Sequence, residues 1–150
     1  MDKKLQGKRN KRKGRDFEVK VRHELEEQGW TVSKWANNVE IIESVTNGKE
    51  IHINKAKLVS ATKWRFNPFT KTIMAVGTGF PDFIAYRMSD NSGVHRYYEV
   101  IGVECKVGKY LTQEEKAKAS WLWATGKFNR ILVAYKDKKT KEIIYTTFEL

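Results

Sequence analysis

The stretch from Phe83 to Tyr135 constrains the fold more than any other part of the chain. Two apolar runs, Phe83-Ile84-Ala85-Tyr86 and Val100 to Lys106, read as strands, and Ser89-Asp90-Asn91-Ser92-Gly93 between them reads as a turn. Thr112-Gln113-Glu114-Glu115 then has the capping-box pattern, with Thr112 as N-cap and Glu115 three residues on. The helix it opens should run to about Thr125, with Ala117, Ser120, Trp121 and Ala124 on its inner face and Gly126 closing it. Ile131 to Tyr135 follows as a buried strand, and after a Lys136–Lys141 turn comes a last strand, Ile143–Phe148. Strands in this order around one helix predict a mixed sheet.

Upstream, Arg15–Gln28 reads as a helix whose buried stripe is Phe17, Val21 and Leu25, ended by Gly29. Glu18 flanks that stripe on one side and Glu24 on the other, so geometry alone does not choose between them. Trp30–Trp35 is an expected first strand. Val39–Val45 and Ile51–Ile53 around Asn47-Gly48 predict an inserted β-hairpin. Residues 55–71 mix cations with aromatics around Asn67-Pro68, a pattern that suits base stacking and phosphate contact or, equally, a small satellite core. The expected fold class is therefore α/β: a central mixed β-sheet flanked by helices, with an insertion at about 36–76, and not a doubly wound nucleotide fold.

At 150 residues the chain suits one domain. No apolar run approaches the roughly 20 residues that span a bilayer. One cysteine excludes an internal disulfide and multi-cysteine zinc sites, while His23, His52 and His95 lack metal-binding spacing. A reducing, cytoplasmic setting of prokaryotic or viral type is expected. The net charge of +11 is uneven, because residues 1–15 hold eight Lys or Arg against Asp2. A segment so charged and so poor in apolar residues predicts a disordered basic tail over 1–14, suited to phosphate contact.

The chemistry lies in Asp82, Glu104 and Lys106. Alternation along a strand projects Glu104 and Lys106 from one face and Cys105 from the other, and Asp82 enters the neighbouring strand close by. Two carboxylates suit a hard cation such as Mg²⁺, for which Mn²⁺ can substitute, and the Cys105 backbone carbonyl is a third candidate ligand. Lys106 could orient a water, assist its deprotonation or stabilise developing negative charge. The plain alternative is a cross-strand ion pair beside a turn aspartate.

Pro81-Asp82, a spacer and Glu104-Cys105-Lys106 resemble the PD-(D/E)XK nuclease superfamily. Gly14-Arg15-Asp16-Phe17-Glu18, with Gly29 eleven residues after the glutamate, is similar to the first helix of archaeal-type Holliday-junction resolvases. Leu111 to Lys116 with Trp121 and Gly126 also resembles the virus-type replication-repair (VRR-NUC) branch, which often has glutamine where this chain has Glu115. The resemblance implies a restriction-endonuclease-like fold over 15–150 and a Mg²⁺-dependent endodeoxyribonuclease. Asp82 and Glu104 would bind metal, Glu18 rather than Glu24 would join them, and Lys106 would be the catalytic lysine. It further implies branched DNA as substrate and a homodimer; from the lack of a spanning apolar run no membrane partner is expected. Expected DNA contacts are Lys8, Arg9, Lys11, Arg12, Lys13, Arg15, Lys34, Lys63, Arg65 and Gln113. Two other readings stand beside it: a sequence-specific restriction or homing-type nuclease reading bases through residues 39–76, and a non-enzymatic DNA-binding protein.

Overall fold

A computed structural model of the chain describes residues 3–61, 64–67, 71–75, 79–90, 93 and 95–149. The first helix, α1, spans Lys3–Glu27. Its buried stripe is the expected one, Phe17, Val21 and Leu25. Gly29 (φ 86°) closes it with Trp30 N–H donating to the Leu25 carbonyl at 3.0 Å and Gly29 N–H to Glu26 at 3.0 Å. That is the Schellman pairing, with Leu25 and Trp30 both buried across it. Where the sequence suggests a disordered tail over 1–14, the structure differs in having helix from Lys3 onward. The described residues of this stretch extend α1 upstream as one continuous helix, and the side chains from Leu5 to Lys13 are exposed. Lys, Arg and Gln are good helix formers, and no proline interrupts them once residues 15–27 nucleate the helix.

The main sheet has the order β1 (Thr31–Lys34), β6 (Phe83–Asp90), β7 (Tyr97–Lys106), β8 (Arg130–Lys136) and β9 (Ile143–Thr147). β7 and β8 are parallel, joined by α2 (Gln113–Ala124), and the other pairs are antiparallel, so the sheet is mixed as expected. Thr112 caps α2 and the capping box is complete. β2 (Asn37–Asn47) and β3 (Glu50–Ser60) form the predicted hairpin about Asn47-Gly48, with Gly48 at φ 62°. It is longer than the sequence pattern suggests. A second two-stranded hairpin, β4 (Trp64–Asn67) with β5 (Thr72–Ala75), has no counterpart in the sequence reading. Of the basic–aromatic candidates there, Lys63 lies outside the described residues, and for Arg65 only the backbone is described.

Alternation along β7 splits the core in two. Ile101 and Val103 face α1 together with Val32, Phe83, Ala85, Leu132 and Ala134. On the opposite face Ala119 and Leu122 of α2 pack with Ile131, Phe128, Phe80 and Val39, while Ile53, Ala56 and Leu58 of β3 adjoin this cluster. Helix α2 thus packs on β8 and on β3. This corrects its inner face: Ala117, Ala119 and Leu122 are buried, whereas Ser120 and Trp121 are half-buried and Ala124 is exposed. A helix covered on two sides does not show a single apolar stripe.

Two glycines let the Asp82 loop lie close to the sheet. A Cβ on Gly79 would stand 2.0 Å from the Trp35 carbonyl oxygen, and one on Gly102 would stand 2.7 Å from Pro81 Cγ. The loop is laced down by Phe80 N–H to the Asn37 carbonyl (2.9 Å) and Trp35 N–H to the Asp82 carbonyl (3.0 Å). Gly79→Ala should therefore destabilise the fold by about 1–3 kcal/mol, the usual scale of overpacking, because the obstacle is backbone. Urea denaturation checks this, and an unchanged midpoint would contradict so close an approach.

Candidate active site

Glu104 is 6% exposed and, among the described residues, the only charged or polar residue so buried. It sits one residue beyond Val103, which pairs with Phe83, so the register carries Asp82 to the position opposite. Glu104 Oε1 meets Lys106 Nζ at 2.9 Å, whereas Oε2 is buried without a hydrogen-bond partner. Burial, reinforced by the nearby Asp82 charge, pushes the Glu104 carboxyl up to about 8 against the pull of Lys106.

Asp82 is held from two sides. Its Oδ2 accepts from Cys105 N–H at 2.8 Å, and its Oδ1 lies 3.6 Å from Lys34 Nζ. Burial raises its carboxyl above the ordinary range despite these contacts. Residues in an extended strand turn N–H and C=O to the same side, so the Cys105 carbonyl also faces the Asp82 edge. The Cys105 thiol packs against the α1 core and burial pushes it up, which leaves it an unreactive filler.

Lys106 stands between Glu104 and Glu115, whose Oε1 it contacts. Burial by itself would lower its affinity for a proton, but the Glu115 hydrogen bond and the Glu104 charge outweigh it and the net direction is up. Lys106 is therefore an ammonium at neutral pH. The other Glu115 oxygen accepts from Thr112 N–H at 2.8 Å, so the helix cap fixes the carboxylate that holds the lysine. Burial notwithstanding, these hydrogen bonds keep Glu115 below the usual carboxylate range.

Glu18 reaches the cluster through Lys34, whose Nζ lies 2.6 Å from Glu18 Oε2. Burial opposes the Lys34 charge, but the Glu18 hydrogen bond and the Asp82 charge raise its affinity for a proton. Glu24 is elsewhere, beside Tyr145. The four candidates Glu18, Asp82, Glu104 and Lys106 thus belong to one charged network, with Lys34 and Glu115 as members that sequence reasoning does not place there. The sequence assigns Lys34 to DNA contact alone, and no local pattern reveals a pairing between α1 and β1. The capping box does mark Glu115, but as a cap.

Beside Glu104 opens a cleft of about 220 Å³ lined by Asn38, Gly79, Phe80, Thr112, Glu114, Glu115 and Lys118. A groove of about 750 Å³ runs along the other side of α2, past Lys116, Trp121 and β3, and none of the network acids lines it. Gln113 lines that groove, not the cleft. Lys8, Arg9, Lys11, Arg12, Lys13 and Arg15 are all exposed on α1.

Four carboxylates in this network face two ammonium groups. Among the described residues no three His, Cys, Asp or Glu side chains already converge as a ligand set, and each of the two lysines bridges a pair of the acids. The surplus negative charge and the orphaned Glu104 oxygen nevertheless fit a divalent cation, since a buried carboxylate without a partner is costly. What fold and site define together is an α/β domain with a mixed five-stranded sheet and a half-buried carboxylate–lysine network at one strand end. No family model, curated protein or solved structure matches the chain.

Proposed function

We propose that the chain is a metal-dependent endonuclease of the PD-(D/E)XK, restriction-endonuclease-like kind, acting on branched DNA. The observation that carries this reading is Glu104: buried, opposite Asp82, two residues from an ammonium and with one oxygen unpartnered. Asp82, Glu104 and the Cys105 carbonyl would hold Mg²⁺ or Mn²⁺, with Glu18 close to them. Such an ion supplies Lewis acidity and makes a water nucleophilic near neutral pH. Lys106, kept cationic by Glu115 and Glu104, stabilises the negative charge that grows on the scissile phosphate; it is unsuited to act as a base. Lys34 holds Glu18 beside Asp82 and offsets part of the acid surplus.

Preference for branched DNA is supported by the likeness of Gly14–Glu18 to the resolvase first helix and by the basic character of α1. Coordinated cuts across a four-way junction need two such sites, and therefore a dimer. Incubation with four-way junction, flap, nicked and plain duplex DNA in Mg²⁺ tests the reading. Paired cuts on the junction are expected. Equal cutting of all four substrates removes the structural preference, and no cutting of any removes the nuclease.

A second reading, a non-enzymatic DNA-binding protein, draws support from the way Lys34 and Lys106 each bridge two carboxylates, as structural ion pairs do. It requires that Asp82→Ala leave DNA processing unchanged.

A further inference from the structure

The cations on the upstream part of α1 cover the whole exposed side of the helix, with Arg12, Arg9, Lys20 and Lys13 roughly 120–220° around the axis from Glu18, and three of them stand nearest that residue. At about 100° per residue, Lys11, Arg15 and Lys8 lie roughly 20°, 60° and 80° around the axis from Glu18, on the side away from the buried Phe17–Val21–Leu25 stripe. They are spaced 3 and 4 residues apart, so they form one stripe that runs into the network at its Glu18 end. The one acid between residues 3 and 17, Asp16, lies about 160° away and is 4.0 Å from Arg12. Glu18 itself is matched by Lys34 at 2.6 Å and leaves the stripe cationic. From Lys8 to Glu18 the helix rises about 15 Å, the length over which one strand of a duplex presents about four phosphates.

We infer that this face of α1 is a rail for the phosphate backbone of duplex DNA, which it leads toward the Asp82–Glu104 network. What lies at the end of the rail rests on the nuclease reading, but binding along it does not depend on catalysis. An anionic membrane is a poorer fit to the same charge. A helix that lies on a membrane needs a continuous apolar face, and the exposed large apolar residues of α1 are only Leu5 and Val19.

The test compares two triple variants of the full chain that remove the same charge. Lys8→Gln/Lys11→Gln/Arg15→Gln strips the stripe; Arg9→Gln/Lys13→Gln/Lys20→Gln strips the far side, roughly 140–180° from Glu18. Binding to a fluorescent duplex is measured in EDTA across a salt series, and cleavage is measured separately in Mg²⁺. The stripe variant should lose about tenfold or more in affinity, and the slope of log K against log salt should fall by about 2–3, close to one for each phosphate no longer neutralised. The far-side variant should lose about threefold or less. Equal losses in the two triple variants, or no loss in either, overturn the rail. A wild-type chain that binds with this face preference but cuts nothing leaves the rail standing and removes the nuclease reading.

Discussion

Replacing Glu104 with Gln, or Asp82 with Asn, is expected to lower Mg²⁺-dependent DNA cleavage on the order of 10³-fold, the scale on which a preorganised charge contributes to a transition state. Affinity for DNA in EDTA should stay within about twofold, since neither side chain belongs to the basic stripe. Both substitutions keep shape and a hydrogen-bond acceptor. The amide oxygen of Asp82→Asn can still accept from Cys105 N–H, and that of Glu104→Gln from Lys106. They are better tests than Lys106→Ala. That change leaves Glu104 and Glu115 facing each other without their shared cation and endangers the fold, because breaking a buried pair costs far more than the pair is worth. Cleavage is read on the preferred substrate together with a denaturation curve for each variant. Activity within tenfold of the parent in both folded variants would sink the nuclease reading.

The second large effect is a stabilisation by Mg²⁺ that depends on pH. Glu104 has an ordinary value of 4.5 and is pushed up to about 8 in the folded chain. Between these limits the folded metal-free protein holds a proton that the unfolded chain releases, so stability contributed by this group is full below about pH 4.5 and lost as pH rises through about 8. A cation competes with that proton. At Mg²⁺ about 100-fold above its dissociation constant the gain is about 2.7 kcal/mol, or about 5–10 °C in Tm for a chain of this size. It should be largest near pH 8 and nearly absent at pH 5.5. Glu104→Gln should flatten the pH slope of the metal-free protein and abolish the Mg²⁺ effect. Thermal melts with and without Mg²⁺ at both pH values decide it, and equal shifts at pH 5.5 and 8 would count against Glu104 as a ligand.

The legible parts of this fold are those with a local cause. Asn47-Gly48 places the long hairpin, Thr112 with Glu115 places the start of α2, and Phe17, Val21 and Leu25 place the packed part of α1. Glu104 and Lys106 can be put on one strand face because strands alternate. What escapes has a non-local or competing cause. Charge composition points to a loose tail where helix propensity, propagated from a packed segment, prevails. The inner face of α2 is misjudged from its own residues because a hairpin some sixty residues earlier in the chain supplies its second cover. Lys34 and Glu115 join the network through contacts that no spacing announces. Glu18 over Glu24 follows from a resemblance; in the structure Glu18 pairs with Lys34 and Glu24 lies beside Tyr145.

The cover over α2 bears on how this chain can be shortened or re-engineered. Residues 36–76 look in sequence like an accessory that could be trimmed to reach a minimal domain. Yet Val39 is as buried as the sheet core, and Ile53, Ala56 and Leu58 close over the cluster that holds Leu122 and Ala119. The stem of the hairpin is a wall of the domain, and cutting it away would expose the apolar side of the helix whose capped end fixes Glu115 and, through it, Lys106. The outer end, from Ile42 to Glu50, is exposed throughout. Within this hairpin, freedom to vary, for an engineer or for selection, lies at the tip of a two-stranded arm whose base is structural masonry.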